Sequence, residues 1–573
     1  MYREYINQFK TKDFIDNWAL YYRMNAEEDK VKANFLAAQV FVRGTDNRFN
    51  IQWHFNKNIP LGQVLKFAKT NQEKANVYVL YSFKNIKPNL DAIQKVIELD
   101  PANIGLSFLL LREINKIEDW VLTPIYTMFL PALRPDYWEN TNSGRLLNRV
   151  EVDRKYAEKL LEVVSKLDFE KVENKNFYLL VKSYLEFLTK DYNSSIQTLK
   201  PLERKGIDKD IKRQLDIVKA LSLTANQKID KAIILGEIKP IVLRESKNKN
   251  FSFLFAIAKE LEFLNNKVDA GYLISQIILD GEYDSVNSIF WKSRTRKITL
   301  QDDFYSDWYG YIDADLNTLD LQKIVNEMNL KSDSFDRWKK RILKNDPNRV
   351  YDLLGVKYMR EDKLEQAYFY FSKISKTHYT NLLFNENPFY KIKGYMNYDS
   401  KQTANNFTKA KVTLELINYL KRAKNVKNAR RDIDYFLAAN CYYNMSYYGN
   451  SWMLKRIYWS SSAAEANMKD EKEYYTCSQA KNLYEQAFKY TKDDKFKVLC
   501  AYMIAKCEAR KNEYEYLTKR DYFWDMEYYK LKEKLNGKSF KNFKFKYKDE
   551  YEEMISNCEI FTNYYKNRIR KKV

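Results

Sequence analysis

The amino-acid sequence predicts an all-α protein, an α-solenoid of repeated helix hairpins with aromatic-rich insertions. Three observations lead there. Gly and Pro number only 13 and 10 among 573 residues, and sheet-rich folds consume both at their many turns. Apolar residues make up 45% of the chain, enough for a continuous core. One arrangement of residue types also recurs at one spacing. Tyr351, Leu354, Gly355 and Tyr358 are followed by Ala367, Phe371 and Ile374; Leu254, Ile257, Ala258 and Leu261 are followed by Ala270, Ile274 and Ile277. Each set marks two helix faces. The small residues, Gly355 with Ala367 and Ala258 with Ala270, let two helices approach closely while larger neighbours fill the space around the contact. Such a pair cannot bury its apolar face alone, so each pair implies neighbours.

Taken in order, the elements follow from the same pattern. Helices are expected around Phe14–Tyr22 and Glu28–Phe41, followed by a polar, irregular piece from Arg43 to Asn58. Val77, Leu80 and Tyr81 share one helix face and Leu90, Ile93, Val96 and Ile97 another, with Lys84–Asn89 as the turn. Asp100-Pro101 closes that pair, because proline can begin a helix but not continue one. Ile104–Asp119 is a strongly apolar helix. Trp120–Trp138, carrying Pro124, Pro131 and Pro135, is expected to interrupt it as an ordered loop packed by its aromatics.

Helices resume at Val150, and Tyr178–Leu202 reads as a further hairpin with Ser183 and Ser195 as its small residues. Ser285–Leu316 departs from the pattern, with Trp291, Trp308, Arg294, Arg296 and Lys297. Pro388 marks a longer connection to about Ala404. A helix is expected over Asp434–Tyr447, a break at Tyr448–Trp452, and a second aromatic helix through Tyr458 and Trp459. This places roughly 30 residues where a hairpin turn takes a few. Ala480, Tyr484 and Ala487 repeat the second-helix pattern, and Val498, Ala501, Tyr502 and Ala505 suit the first helix of another pair. The chain therefore divides into a divergent helical region at 1–149 with one hairpin and a Pro-rich insertion, arrays at 150–345 and 346–530 (the second with an insertion near 447–477), and a basic region at 531–573.

The aromatic, Leu, Gly and Tyr of the Tyr351 stretch, then its Ala, aromatic and apolar residues, resemble the tetratricopeptide repeat (TPR). Leu111–Trp120 together with Tyr447–Trp452 also resembles large bacterial helical-repeat proteins. The resemblance implies a non-enzymatic protein–protein interaction scaffold or adaptor with a concave recognition surface. Its repeat-packing residues would be Tyr351, Leu354, Gly355, Tyr358, Ala367, Phe371, Ala258, Ala270 and Ala480. Insertions in such arrays often lie on a functional face, so Tyr447, Tyr448, Asn450, Trp452 and Trp459 are the expected partner contacts. The resemblance names no partner.

Composition and motif searches narrow the function classes further. The net charge of +22 comes from 98 basic and 76 acidic residues, interspersed along most of the chain. Mixed charge mainly solvates helix faces. Three stretches are more strongly basic: Lys421, Arg422, Lys424, Lys427, Arg430 and Arg431; the alternation from Phe540 to Lys548; and Lys566, Arg568, Arg570, Lys571 and Lys572. Aromatics beside lysines can hold single strands, so a nucleic-acid-binding helical-repeat protein is the disfavoured alternative. A packed aromatic face with lysines in water is the preferred reading. Glycan binding by Tyr and Trp is a further alternative for an exported chain. Five cysteines and two histidines, without Cys-x-x-Cys, argue against a disulfide framework and a zinc site. Cys500 and Cys507 are expected as small core residues on one helix face. Asn536-Gly537-Lys538-Ser539 lacks the first glycine of a phosphate loop and is expected to be a helix C-cap. Paired carboxylates such as Asp302-Asp303 and Glu550, Glu552 and Glu553 arise freely in a chain that is 30% charged. No cofactor and no enzymatic activity are expected. The charged N-terminal stretch, and the lack of a long apolar run, lead to the expectation of a cytoplasmic protein, with an exported or surface-associated one as the alternative.

Overall fold

The fold was described from a computed structural model. It covers residues 14–44, 48–83, 85–133 (apart from 128–129), 143–280 (apart from 173 and 204–206), 308–378 (apart from 329, 331–332, 345–346 and 376–377), 387–392 (apart from 391), 407–457, 470–517 (apart from 471) and 526–549. The described residues are all-α and contain no strand. They form two compact units, 1–306 and 307–573, so the boundary falls inside the region 150–345.

The first unit begins with α1 (Phe14–Asn25), α2 (Lys30–Arg43), α3 (Arg48–His54) and α4 (Leu61–Leu65). It continues with α5 (Asn71–Phe83), α6 (Leu90–Leu99), α7 (Ile104–Tyr126), α8 (Ser143–Ser165) and α9 (Lys175–Leu188). It closes with α10 (Tyr192–Leu199), α11 (Lys209–Ala225), α12 (Lys239–Lys247), α13 (Phe251–Phe263) and α14 (Lys267–Asp280). Polar caps set several starts: Asp29, Asn103, Asp191, Asp208 and Asn250 each accept a backbone N–H of the first turn.

Sequential helices pair, α5 with α6, α9 with α10 and α13 with α14. α7, α9, α11 and α13 also pack in succession, each on the next. The expected small residues lie at the contacts. Ser183 and Ser195 share a 2.9 Å hydrogen bond, and Ser195 shares another of 2.8 Å with Ser222 on α11. Ala258 and Ala270 are fully buried.

The expected interruption at Trp120 does not occur within α7. The helix runs on through Trp120 and Pro124 to Tyr126. All three side chains are buried, and the Trp120 indole N–H donates to the Leu133 carbonyl. Packing of this apolar turn outweighs the one backbone bond that proline removes. Trp138 lies outside the described residues.

The second unit contains α15 (Trp308–Asp315), α16 (Thr318–Glu327), α17 (Ser334–Lys339), α18 (Pro347–Arg360), α19 (Leu364–Phe371) and α20 (Lys409–Lys424). It ends with α21 (Arg431–Asn444), α22 (Lys472–Thr476), α23 (Ser478–Tyr490), α24 (Asp494–Leu517) and α25 (Met526–Lys546). α18 pairs with α19, α21 packs on both α20 and α23, and α24 packs on α25. Gly355 on α18 faces the ring of Phe371 on α19, where an added Cβ would lie 2.4 Å from Cε1. Leu354, Ala367 and Ala480 are buried, Tyr358 stacks on Tyr370, and the Lys373 ammonium lies over the Tyr351 ring. Cys500 and Cys507 are buried on α24. Gly537, expected as a C-cap, instead sits inside α25; the lysine-rich turns beyond it continue the helix.

Four helices end in one backbone motif. Lys190, Lys249, Asn265 and Asp362 hold φ of 68°, 55°, 70° and 57°. The following N–H reaches back five residues in each case: Asp191 to Glu186, Asn250 to Glu245, Asn266 to Leu261 and Lys363 to Tyr358, at 2.8–2.9 Å. This Schellman ending satisfies carbonyls that the helix leaves open. It turns the chain sharply into the next helix at α9–α10, α12–α13, α13–α14 and α18–α19. None of the four positions is glycine.

Candidate functional site: a groove across four helices

The first unit carries a groove of about 830 Å³. Its walls come from alternate helices: Asn115, Glu118, Asp119 and Leu122 on α7, Tyr184 on α9, Gln214, Ile217 and Leu221 on α11, and Ser252 and Ala256 on α13. Helical spacing explains the choice of side chains. Asn115, Glu118 and Leu122 fall on one face of α7, while Ile114, Ile117 and Val121 turn into the core. On α11, Gln214, Ile217 and Leu221 repeat that arrangement.

The polar groups of the groove are fixed by specific bonds. The Tyr126 hydroxyl donates to Glu260 Oε1 at 2.6 Å, and its ring stacks on Phe263. Asp119 accepts the Thr123 hydroxyl at 2.9 Å and the Leu133 N–H at 2.8 Å. Tyr184 is held parallel to Phe187, with ring centroids 5.9 Å apart. Its hydroxyl and the Glu118 carboxylate influence each other electrostatically. Glu118 is exposed, and partial desolvation in the groove raises its carboxyl above the ordinary range; the Tyr184 hydroxyl opposes that shift and the Asp119 charge adds to it. Burial, then the neighbouring Glu118, pushes the Tyr184 hydroxyl well up as well. The groove thus offers apolar walls, hydrogen-bonding amides and a carboxylate pair.

The expected contact residues lie elsewhere, in the second unit, and form a joint between helices. The Tyr447 N–H donates to the Tyr474 carbonyl at 2.9 Å, and the Tyr447 ring lies 5.4 Å from that of Tyr475. Tyr448 is stacked under the Arg510 guanidinium, 4.2 Å away, and burial pushes its hydroxyl well up. Gly449 touches the Asn444 backbone so closely that a Cβ would overlap it. Asn450 and Trp452 are half-buried; the Trp452 carbonyl accepts the Lys455 and Arg456 N–H groups. The segment is a turn followed by a single 3-10 turn, Trp452–Leu454. Trp459, with the rest of the expected second helix, lies outside the described residues.

The basic stretches divide in a similar way. Arg422 pairs with Asp434 at 3.1 Å, and Arg431 donates to the Ala423 carbonyl, so both serve the α20–α21 turn. In α25, Phe540 and Phe543 pack against Tyr502, whereas Phe545 and the lysines at 541, 544 and 546 are exposed. The last basic cluster, 566–572, and the paired carboxylates at 302–303 and 550–553 fall outside the described residues.

Among the described residues no group of three or more His, Cys, Asp or Glu is arranged to hold a metal ion. No helix there is long and apolar enough to cross a membrane. Comparison with family models, curated proteins and solved structures found no match for this chain.

Sequence reasoning missed the groove residues. The one local signal was the polar and apolar alternation on the outer face of α7, Leu111, Asn115, Glu118 and Leu122.

Proposed function

We propose that this chain is a non-enzymatic recognition scaffold of TPR type, a solenoid in which the groove of the first unit receives a polypeptide segment. The observation that carries this reading is the groove itself, built from the inner faces of α7, α9, α11 and α13. In repeat arrays the stacked first helices form such a concave surface, while the second helices face away. Support for the repeat comes from Ser183–Ser195, Ala258–Ala270 and Gly355–Ala367, small pairs each twelve residues apart, and from the Schellman ending that all three hairpins share. Leu122, Ile217 and Leu221 supply apolar contact. Gln214, Asn115 and Tyr184 supply groups that can bond a peptide backbone.

The test is binding of the full chain to an array of randomised nonapeptides. Leu122→Asp with Ile217→Asp is expected to lower the captured signal at least about tenfold, since two desolvated carboxylates would face the occupant's apolar side. Both positions are partly exposed, so the thermal transition should move little. Undiminished capture by the folded double variant would place recognition elsewhere.

A further inference from the structure

We propose that the outer face of α25 binds single-stranded nucleic acid, with lysines meeting its phosphates and aromatic rings meeting its bases. The inference concerns the second unit alone and is independent of the groove reading.

The first support is the placement of charge. From Lys530 to Lys548 the chain carries eight lysines and one acid, Glu533, against 98 bases and 76 acids overall. On other helices exposed lysines face a carboxylate one turn away, as Lys166 faces Glu162 and Lys323 faces Asp320. In α25 the residues one turn apart are Lys530, Lys534, Lys538 and Lys541, at steps of four, four and three. That spacing puts all four on one helix face, about 5–6 Å apart along the axis. All four are exposed, and among the described residues none is paired with an acid. Lys532, turned towards α24, does find one, Glu513 at 2.6 Å. Like charges at these steps weaken a helix, and mixed charge would solvate the face equally well. A polyanion laid along the stripe relieves the repulsion.

The second support is where the aromatic rings stand. Phe543 is buried against Tyr502, whereas Phe545 is 93% exposed and falls one turn beyond Lys541 on the lysine face. Beside the stripe, α24 and α25 enclose a groove of about 480 Å³. The half-buried rings of Tyr502 and Phe540, 5.6 Å between centroids, line it together with Lys506, Arg510 and Lys544, against the single acid Glu533. Rings that accept a stacked base, beside ammonium groups that meet phosphate, are what holds a single strand. Other polyanions match this surface less well. A helix that enters a lipid surface needs its apolar face free, and that face of α25 is packed on α24. An acidic polypeptide would use the lysines and give the rings no base to stack on.

The experiment uses the full chain and a fluorescein-labelled oligothymidine of about 20 nucleotides. Binding is followed by anisotropy across a salt series from about 50 to 200 mM. Log affinity is expected to fall against log salt with a slope of about −2 to −3, the counterion release of four lysines on a single strand. Lys534→Gln with Lys538→Gln should weaken binding about tenfold or more and make the slope shallower by about 1.4. Phe545→Ser should weaken binding about tenfold and leave the slope unchanged, since it removes a stacking ring and no charge. All three side chains are exposed, so folding is expected to survive. The net charge of +22 attracts anions generally, and a matched pair controls for it. Lys155→Gln with Lys159→Gln, both exposed on α8, removes the same charge and should alter neither affinity nor slope. Absence of binding, a slope unmoved by Lys534→Gln/Lys538→Gln, or an equal loss with the α8 pair overturns the stripe as a nucleic-acid surface. Affinity indifferent to Phe545→Ser, or matched by polyglutamate or phosphatidylserine vesicles, overturns the stacked strand and leaves a general anion surface.

Discussion

Asp313→Ala is expected to destabilise the second unit by about 3–5 kcal/mol, the cost of stranding one member of a buried ion pair. Asp313 on α15 is fully buried and accepts both terminal nitrogens of Arg360, at 2.6 and 3.0 Å. Arg360 also donates its Nε to the Lys455 carbonyl at 2.6 Å, and Lys357 lies 3.8 Å from the same carboxylate. Removing the carboxylate leaves Arg360 and Lys357 on α18 with only the half-buried Asp470 carboxylate, 3.3 and 3.7 Å away, in a water-poor site. Their loss of compensation exceeds the small packing gap left by the side chain. Replacing both partners, as Asp313→Leu with Arg360→Met, should cost much less, because the Arg360 charge that Asp470 alone would have to balance is gone. Denaturant unfolding of both variants measures the difference. A loss below about 1 kcal/mol for Asp313→Ala would mean that the pair is solvated.

The same site sets a pH dependence. Burial raises the Asp313 carboxyl, but Arg360 and Lys357 outweigh it and hold it below the ordinary carboxylate range. A carboxylate depressed on folding contributes stability that is fully present above its unfolded pKa. That stability is lost as pH falls through the folded value. The second unit should therefore weaken on the acid side of the usual aspartate range, and Asp313→Ala should flatten that decline.

Gly355→Ala is expected to cost about 1–3 kcal/mol despite placing a better helix former within α18. Alanine would return about 1 kcal/mol of helix propensity. The new methyl, however, would sit 2.4 and 2.5 Å from two ring carbons of Phe371. That ring is 2% exposed and has the Lys409 ammonium 5.6 Å from its centre, so it has little room to swing away. Overpacking therefore outweighs propensity. The pair should be coupled: Phe371→Leu, destabilising alone, should relieve part of the Gly355→Ala cost in the double variant. Strict additivity in denaturant unfolding would show that α18 and α19 do not meet at this point.

These two sites differ in how far the sequence reveals them. The Gly355 contact was legible because close helix approach imposes a local rule, two small residues twelve apart, and the same rule located the α13–α14 pair. Asp313 and Arg360 were not legible as partners. They lie on separate helices 47 residues apart, and a charged chain offers many candidate pairs. Pro124 misled for the opposite reason. A proline is locally unfavourable in a helix, but Trp120, Val121 and Tyr126 bury enough surface to carry α7 past it. The turns at Lys190, Asn265 and Asp362 escaped notice because a left-handed residue is usually announced by glycine, and none stands there. Tyr448 and Trp452 drew attention by type alone; aromatic residues serve packing and recognition equally well, and Tyr448 is stacked beneath Arg510. The groove was hidden most completely, since Asn115 and Ser252 come to line one cavity only through the packing of four helices.

Recognition in that groove can be measured by photocrosslinking. A benzophenone amino acid placed at Gln214, which is exposed in the groove, is compared with one at Lys155, exposed on α8 and not among the groove residues. Each full-length protein is irradiated with the randomised nonapeptides that the wild type captures. The expected result is an adduct at position 214 that excess unlabelled peptide competes away, with none at 155. Equal labelling at the two positions, or labelling at 155 alone, would contradict the account.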